Sequence, residues 1–524
     1  MNTRSLFRTA SFLVLITIIS RALGLVREAI IAGYFGVGPD TDAFFVAFRV
    51  PDLLFNSLIN FLVATSFIPI FSKYLVTNDK NETWAFSSNV INVMLMFLFV
   101  FTVLVEIFAT QIVSFLAPGL EKESLSLAVR LTRIMIPIVI FGGLTGLFKS
   151  VLNTLQHFTV PAFITIVYNV FIISAVLVLA RRYGIVALAI GVVLAALFQF
   201  LIQMPVLISK GMRYCLRLDL RDEGLIGMGR LLHPVVLALM LGQIVPYFEI
   251  YLASQMSAGA ISYLNYAGRI VSAPDQIYTV VVSSLIFTSL SADVASGDRI
   301  NVVRKLSGGI RITIFVILPL SFILIGVSSS IIKLLLGRGA FEASAVEGTS
   351  KAFVAYSVGL SIVCVRNLVS YTFFALKDPE TLLKVTALMV PINICLDLIL
   401  VRFFSYTGLA LGASLTALLH MSALFMYLRR HAIAIEGRRI MNSFSKILIS
   451  SGVMMALILL LKENLHLFPS SSAFIQLTSF LFAVSVLSSL VYLTVVYVLK
   501  VEEAQLLWHK VFKQSGGGLN KRME

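Results

Sequence analysis

Apolar runs of about 20 residues or more follow one another along almost the whole chain, broken by short clusters of charge, glycine and proline. Such runs are bilayer-crossing helices, because a helix satisfies its backbone N–H and C=O groups within the segment. About fourteen can be read, at 10–34, 42–72, 86–116, 126–152, 158–180, 185–209, 226–252, 258–290, 308–332, 349–376, 381–404, 407–428, 444–462 and 473–499. No stretch is polar enough to form a soluble domain. The first run is too long for a cleaved leader and contains Arg21 and Arg27, so it is expected to stay as a helix. The expected fold class is an all-α polytopic membrane protein.

Composition agrees. The 524 residues are 58% hydrophobic and 13% charged, with mean hydropathy +0.96, against about 25% charged in a soluble protein. The net charge of +15 is unevenly placed. Segments on one side hold Arg4, Arg8, Lys73, Lys149, Lys210, Arg213, Arg304 and Arg429, among others, while the other side holds few cations. The positive-inside rule then puts both termini in the cytoplasm, with 501–524 as a cytoplasmic tail, and requires an even number of spans. This asymmetry accounts for the charge without a nucleic-acid partner. Cys215, Cys364 and Cys395 form no motif, and no phosphate-binding loop or nucleophile elbow occurs. A transporter is expected rather than an enzyme.

The chain repeats weakly. The stretch from Ala47 lies over that from Ala267 at an offset of 220, so Arg49 meets Arg269 and Phe67 meets Phe287. The Asn169–Gly184 and Asn393–Gly408 spacings align at an offset of 224. Two parallel six-helix lobes follow, 1–210 and 224–430, around a central cavity, with two extra helices in 441–500.

Charges lie inside these spans. Arg21, Gly24 and Glu28 share one face of the first helix, and a bend at Gly24 would turn Arg21 and Arg27 toward one cavity. The next spans add Asp42, Arg49 and, in the second half, Arg269. Charges at this depth mark a substrate path. The planar fork of arginine suits phosphate, which argues for an anionic, phosphate-bearing substrate and against a drug-cation pump. Asp52, Arg130 and Arg133 read instead as paired or interfacial residues. Asn393 and Asp397, one turn apart, form an oxygen-rich set with Glu249, Ser414 and Thr416. That set suits a small alkali cation; a proton-carrying or hydrogen-bonded structural pair is the alternative.

"SRALGLVREAIIAGYFGVGPDTDAFFVAFRVPDLL", Ser20 to Leu54, closely resembles the opening signature of the MurJ family of lipid II flippases, in the MOP exporter superfamily. "AYSVGL", Ala355 to Leu360, and the Asn–Gly pattern of the later helix pairs extend the resemblance over the full length. It implies an inner-membrane flippase for lipid II in peptidoglycan synthesis. Arg21, Arg27, Asp42 and Arg269 would line the cavity, with the arginines at the diphosphate. The two extra helices in 441–500 would groove the lipid tail, and Glu249, Asn393 and Asp397 would match a sodium site. Membrane lipids and the cell-wall synthesis machinery are the partners it implies. The sequence departs at Asn56 and Asn60, where the family shows an acidic stretch, and at Gly268 before Arg269. The competing readings are an exporter of another polyprenyl-linked glycan, a cation-coupled drug exporter, and a non-transporting envelope-assembly scaffold.

Overall fold

The computed structural model describes residues 3–53, 66–77, 79–431, 433, 435–462 and 473–505. Asn56, Asn60 and the tail beyond residue 505 lie outside the described residues. The described residues are mostly helical, joined by turns and loops, without strands. In chain order the helices are α1 Thr3–Phe35, α2 Pro39–Asp52, α3 Ile68–Thr77, α4 Lys80–Leu116, α5 Lys122–Met135, α6 Ile138–Thr154, α7 Thr159–Tyr183, α8 Val186–Leu201, α9 Met204–Ser209 and α10 Glu223–Ser254. There follow α11 Ala260–Val281, a π-helical turn Val282–Phe287, α12 Thr288–Ala295, α13 Arg299–Gly326, α14 Ser328–Leu336, α15 Ala343–Ala375, α16 Pro379–Phe404, α17 Tyr406–Arg430, α18 Gly437–Lys462 and α19 Ala473–Val498.

Among the described residues, nine helices are long and apolar enough to cross a membrane, or ten if α5 and α6 count as one bent span. These two meet at Pro137 with a bend of 40°, where the ring removes a backbone donor and breaks the helix. The expected spans 10–34, 42–72, 226–252 and 258–290 are absent from that set. Their described parts are nevertheless helical, as α1, α2 with α3, α10, and α11 with its π turn and α12. They are also the segments that carry Arg21, Arg27, Asp42, Arg49, Glu249 and Arg269.

The chain forms two compact units: Met1–Tyr263 with Leu336–Ala345, and Leu264–Leu335 with Val346–Glu524. In the first, Leu131, Met135, Ile138, Leu147 and Leu188 are fully buried among α5, α6 and α8. Phe67 stacks on Phe71 at 5.0 Å and on Phe86 at 6.0 Å, fastening α3 to α4. In the second, Leu306, Leu368, Phe373, Leu424, Ile447, Met454 and Phe480 form one core that joins α13, α15 and α17 to α18 and α19. The Tyr492 hydroxyl donates to the Phe315 carbonyl at 2.8 Å, and Arg311 pairs with Glu502 and Glu503. The two C-terminal helices are thus packed on α13.

The repeat registers differently from the glycine spacing. Gly184, ending α7, has φ 56°, ψ −139°; Ser405, ending α16, has φ 52°, ψ −142°. Ser405, not Gly408, adopts the Gly184 conformation. The offset becomes 405 − 184 = 221, one residue from the 220 of the first registration. Backbone conformation, rather than residue type, marks the equivalent turn. Gly408 is required for another reason: a Cβ there would collide with the backbone of Leu400 and Val401, where α17 crosses α16.

Candidate functional site

In the first unit α1 runs unbroken through Gly24, so no helix break occurs at the expected hinge. Arg21 is exposed on it. A Cβ placed on Gly24 would meet nothing within 4 Å, so open space lies beside the helix between the two arginines. Arg27 is mostly buried, with 18% of its side chain exposed. It donates to Glu28 Oε1 at 2.5 Å and lies over the Tyr168 ring of α7 at 5.5 Å. Its Nε–H is buried without an acceptor. One guanidinium edge is therefore satisfied and another donor is spare.

Asp42, at the start of α2, is 4% exposed. Its Oδ2 accepts from the Gly259 N–H at 2.6 Å; its Oδ1 accepts from the Ser262 N–H at 2.7 Å and the Ser262 hydroxyl at 2.5 Å. The carboxylate caps the first turn of α11, where helix donors lack internal partners and the dipole favours negative charge. At the end of α1, the Ala340 N–H donates to the Gly33 carbonyl at 2.8 Å, fastening the loop after α14. Arg49 is half-buried, and the Tyr247 hydroxyl of α10 donates to its carbonyl at 2.8 Å. Glu249, two residues on and half-buried, lies within the field of Arg49.

In the second unit Arg269 is half-buried on α11, and its carbonyl accepts from the Ser272 hydroxyl at 2.9 Å. Six residues further along the helix, Asp275 Oδ1 accepts from Asn367 Nδ2 at 3.0 Å and from the Cys364 thiol at 3.5 Å. Arg366 donates to Asn367 Oδ1 at 3.0 Å. His420 of α17, in the field of Arg366, has its Nε2 buried without a hydrogen-bond partner. This cluster escaped the sequence reading. Arg366 lies inside the expected span 349–376, the same signal that singled out Arg21 and Arg27.

The second unit also brings Asn393, Asp397 and Thr416 together; Glu249 belongs to the first unit. Asn393 Nδ2 donates to Thr416 Oγ1 at 2.8 Å, while its Oδ1 is buried without a partner. Asp397 is fully buried, and Gly412 approaches it so closely that a Cβ would collide with its Oδ1. The Ser414 hydroxyl is engaged by the Ala410 and Ala355 carbonyls at 3.1 and 3.3 Å. A carboxylate, an amide oxygen lacking a donor and a hydroxyl fit a small hard cation. Among the described residues no group of three His, Cys, Asp or Glu side chains could hold a transition metal.

Comparison with known proteins places these arrangements in a family. The model of the family "Lipid II flippase MurJ" matches residues 31–498. The probable lipid II flippase MurJ of Buchnera aphidicola subsp. Acyrthosiphon pisum is 30% identical over 407 residues, 77% of this chain and 80% of that protein. The lipid II flippase MurJ of Burkholderia cenocepacia is 29% identical over 437 residues, 82% of this chain and 85% of that protein. A solved structure of lipid II flippase MurJ in an inward closed conformation superposes with a TM-score of 0.78 at 24% identity, covering 93% of this chain and 98% of that one. An inward-facing multidrug resistance MATE transporter of the MOP superfamily gives 0.64 at 14% identity, over 79% and 94%, which is likeness of fold alone.

Proposed function

This chain belongs to the family of the lipid II flippase MurJ, and we propose that it moves lipid II from the cytoplasmic to the periplasmic leaflet of a bacterial inner membrane by alternating access. Arg21, Arg27, Arg49 and Arg269 receive the diphosphate, and the lobes 1–210 and 224–430 rock around it. Asp42, engaged by Gly259 and Ser262, serves here by positioning the start of α11. Helices α18 and α19 take the polyprenyl tail, both termini are cytoplasmic, and no step hydrolyses a nucleotide in this chain. Enzymes that make and consume the precursor are its partners.

The observation that carries this reading is the pair Arg21 and Arg27 around the open face of Gly24, with the Arg27 Nε–H lacking an acceptor. A spare, mostly buried guanidinium donor is costly unless a ligand uses it. A phosphate oxygen fits that fork.

Sodium is the proposed coupling ion, held by Asn393, Asp397 and Thr416, with Glu249 as the further acid implied by the family. Bound ion would favour one lobe arrangement through differential affinity. The support is the buried Asn393 Oδ1, an acceptor without a donor.

Depletion of the protein should accumulate lipid II on the cytoplasmic leaflet. Arg21→Ala, Arg27→Ala and Arg269→Ala should each fail to complement while still inserting. Each loses a charge-assisted phosphate contact of about 1.5–3 kcal/mol, about ten- to a hundredfold in affinity. Lysine should restore only part. Build-up of a different polyprenyl-linked glycan, or full complementation by Arg27→Ala, refutes the reading.

A further inference from the structure

Between α4 and α5 of the first unit lies a groove of about 730 Å³. Polar groups on its walls are Glu106 and Thr110 from α4, and Lys122, Ser126, Arg130 and Arg133 from α5. The sequence of α5 explains why these face outward. Ala128, Leu131, Thr132 and Met135 are buried, whereas Lys122, Ser126, Arg130 and Arg133 form an exposed stripe at i, i+4, i+8 and i+11 spacing.

Arg133 has a partner in the groove: its Nε lies 3.8 Å from Glu106 Oε1, and the two side chains are 47% and 48% exposed. Among the described residues Lys122 and Arg130 have no carboxylate at ion-pair distance. Glu123 stands in an adjoining hollow with Lys122 and Arg130, outside the groove itself. The groove therefore holds three cations against one carboxylate. The same side of α4 exposes Met96, Phe99 and Val103, surface that acyl chains cover in a bilayer.

We propose that this groove binds the phosphate headgroup of an anionic phospholipid, in the leaflet where α4 ends and α5 begins. Side chains of a helix lean toward its N-terminus. Arg130 and Arg133 lie about 12 and 16 Å along α5 from Lys122, at 1.5 Å per residue, and reach back toward the headgroup layer. Glu106 holds the deeper arginine. Lys122 and Arg130 are left for the phosphate, and the exposed apolar face of α4 meets the acyl chains. A soluble anion would use the cations but not that apolar face.

The test uses the purified full-length protein. Phosphatidylglycerol, phosphatidylcholine and inorganic phosphate are titrated separately, reading the melting temperature and the lipid retained in native mass spectrometry. Phosphatidylglycerol should bind and raise the melting temperature; the other two should not. Lys122→Ala with Arg130→Ala leaves the Arg133–Glu106 pair intact. It should weaken phosphatidylglycerol about 25-fold, about fivefold for each basic residue near an anionic headgroup. Glu106→Gln removes the groove's carboxylate and should tighten binding. Unchanged affinity in both variants overturns the proposal. An equal melting shift with inorganic phosphate overturns it too, by making the groove a site for soluble anions.

Discussion

Asp42→Asn isolates the cap on α11. The wild-type carboxylate accepts three hydrogen bonds from Gly259 and Ser262, at 2.5–2.7 Å, with Asp42 4% exposed. An asparagine of the same shape keeps one acceptor oxygen. If that oxygen stays with Ser262, the new NH2 group faces the Gly259 N–H, and a buried donor loses its acceptor at about 1–3 kcal/mol. The negative charge at the helix N-terminus is lost as well, at roughly 1 kcal/mol. Together these give about 2–4 kcal/mol, or about 30- to 700-fold in the opening equilibrium at 1.4 kcal/mol per tenfold. The assay is hydrogen–deuterium exchange of the peptide covering 257–264 in the purified protein. That peptide should exchange faster by this factor, whereas the exposed neighbour variant Asp40→Asn should leave it unchanged. Equal protection in wild type and Asp42→Asn would refute the argument that this carboxylate holds the helix.

Gly412→Ala drives a methyl group into the Asp397 carboxylate; the melting difference between sodium and potassium buffers, expected in the wild type, should vanish in this variant and in Asp397→Asn. No such difference in the wild type removes sodium as the coupling ion. Ser405 has φ 52°, ψ −142°, a region costing a side chain about 1–3 kcal/mol; Ser405→Gly should therefore stabilise by about 1 kcal/mol after the extra glycine entropy, and an unchanged or lower melting temperature counts against it. Arg27→Ala breaks the ion pair of the buried Glu28, at about 3–5 kcal/mol; its melting temperature should fall and recover in Arg27→Ala/Glu28→Gln, with transport still absent, while recovery of transport would show that Arg27 serves only to balance Glu28.

Much of the fold was legible because crossing a bilayer demands length and apolarity, and both are written locally. The span expected at 86–116 ends where α4 ends, at Leu116, and the span at 381–404 ends with α16, at Phe404. The bend at Pro137 was not expected: 126–152 reads as one span, although the proline within it is a local signal for the break. The site was legible where its residues are neighbours on one helix or across one tight hairpin. Asn393 and Asp397 are one turn apart, and Thr416 reaches Asn393 from only 23 residues away. The part Asp42 plays was not legible: its partner Gly259 is 217 residues distant, and no periodicity encodes which helix start needs a cap. The 224-residue registration failed for a related reason. It matched glycines, whereas Ser405 takes up the turn without being one.

The Asp42 contacts also bear on the charge of the first unit. The family likeness lists this aspartate beside the arginines, where it would cancel one of them. Its carboxylate instead meets the Gly259 and Ser262 donors, and a helix N-terminus carries only a partial positive charge spread over its N–H groups. Among the described residues Asp42 makes no direct ion pair with an arginine. Arg27 is balanced by Glu28, and Glu249 lies in the field of Arg49. Among the described residues Arg21 has no carboxylate at ion-pair distance, and it is exposed on the helix whose Gly24 borders open space. A cation at membrane depth without a balancing acid is stable only where water or an anion reaches it. On the proposed function a diphosphate meets that requirement, because it brings its own negative charge and acceptor oxygens.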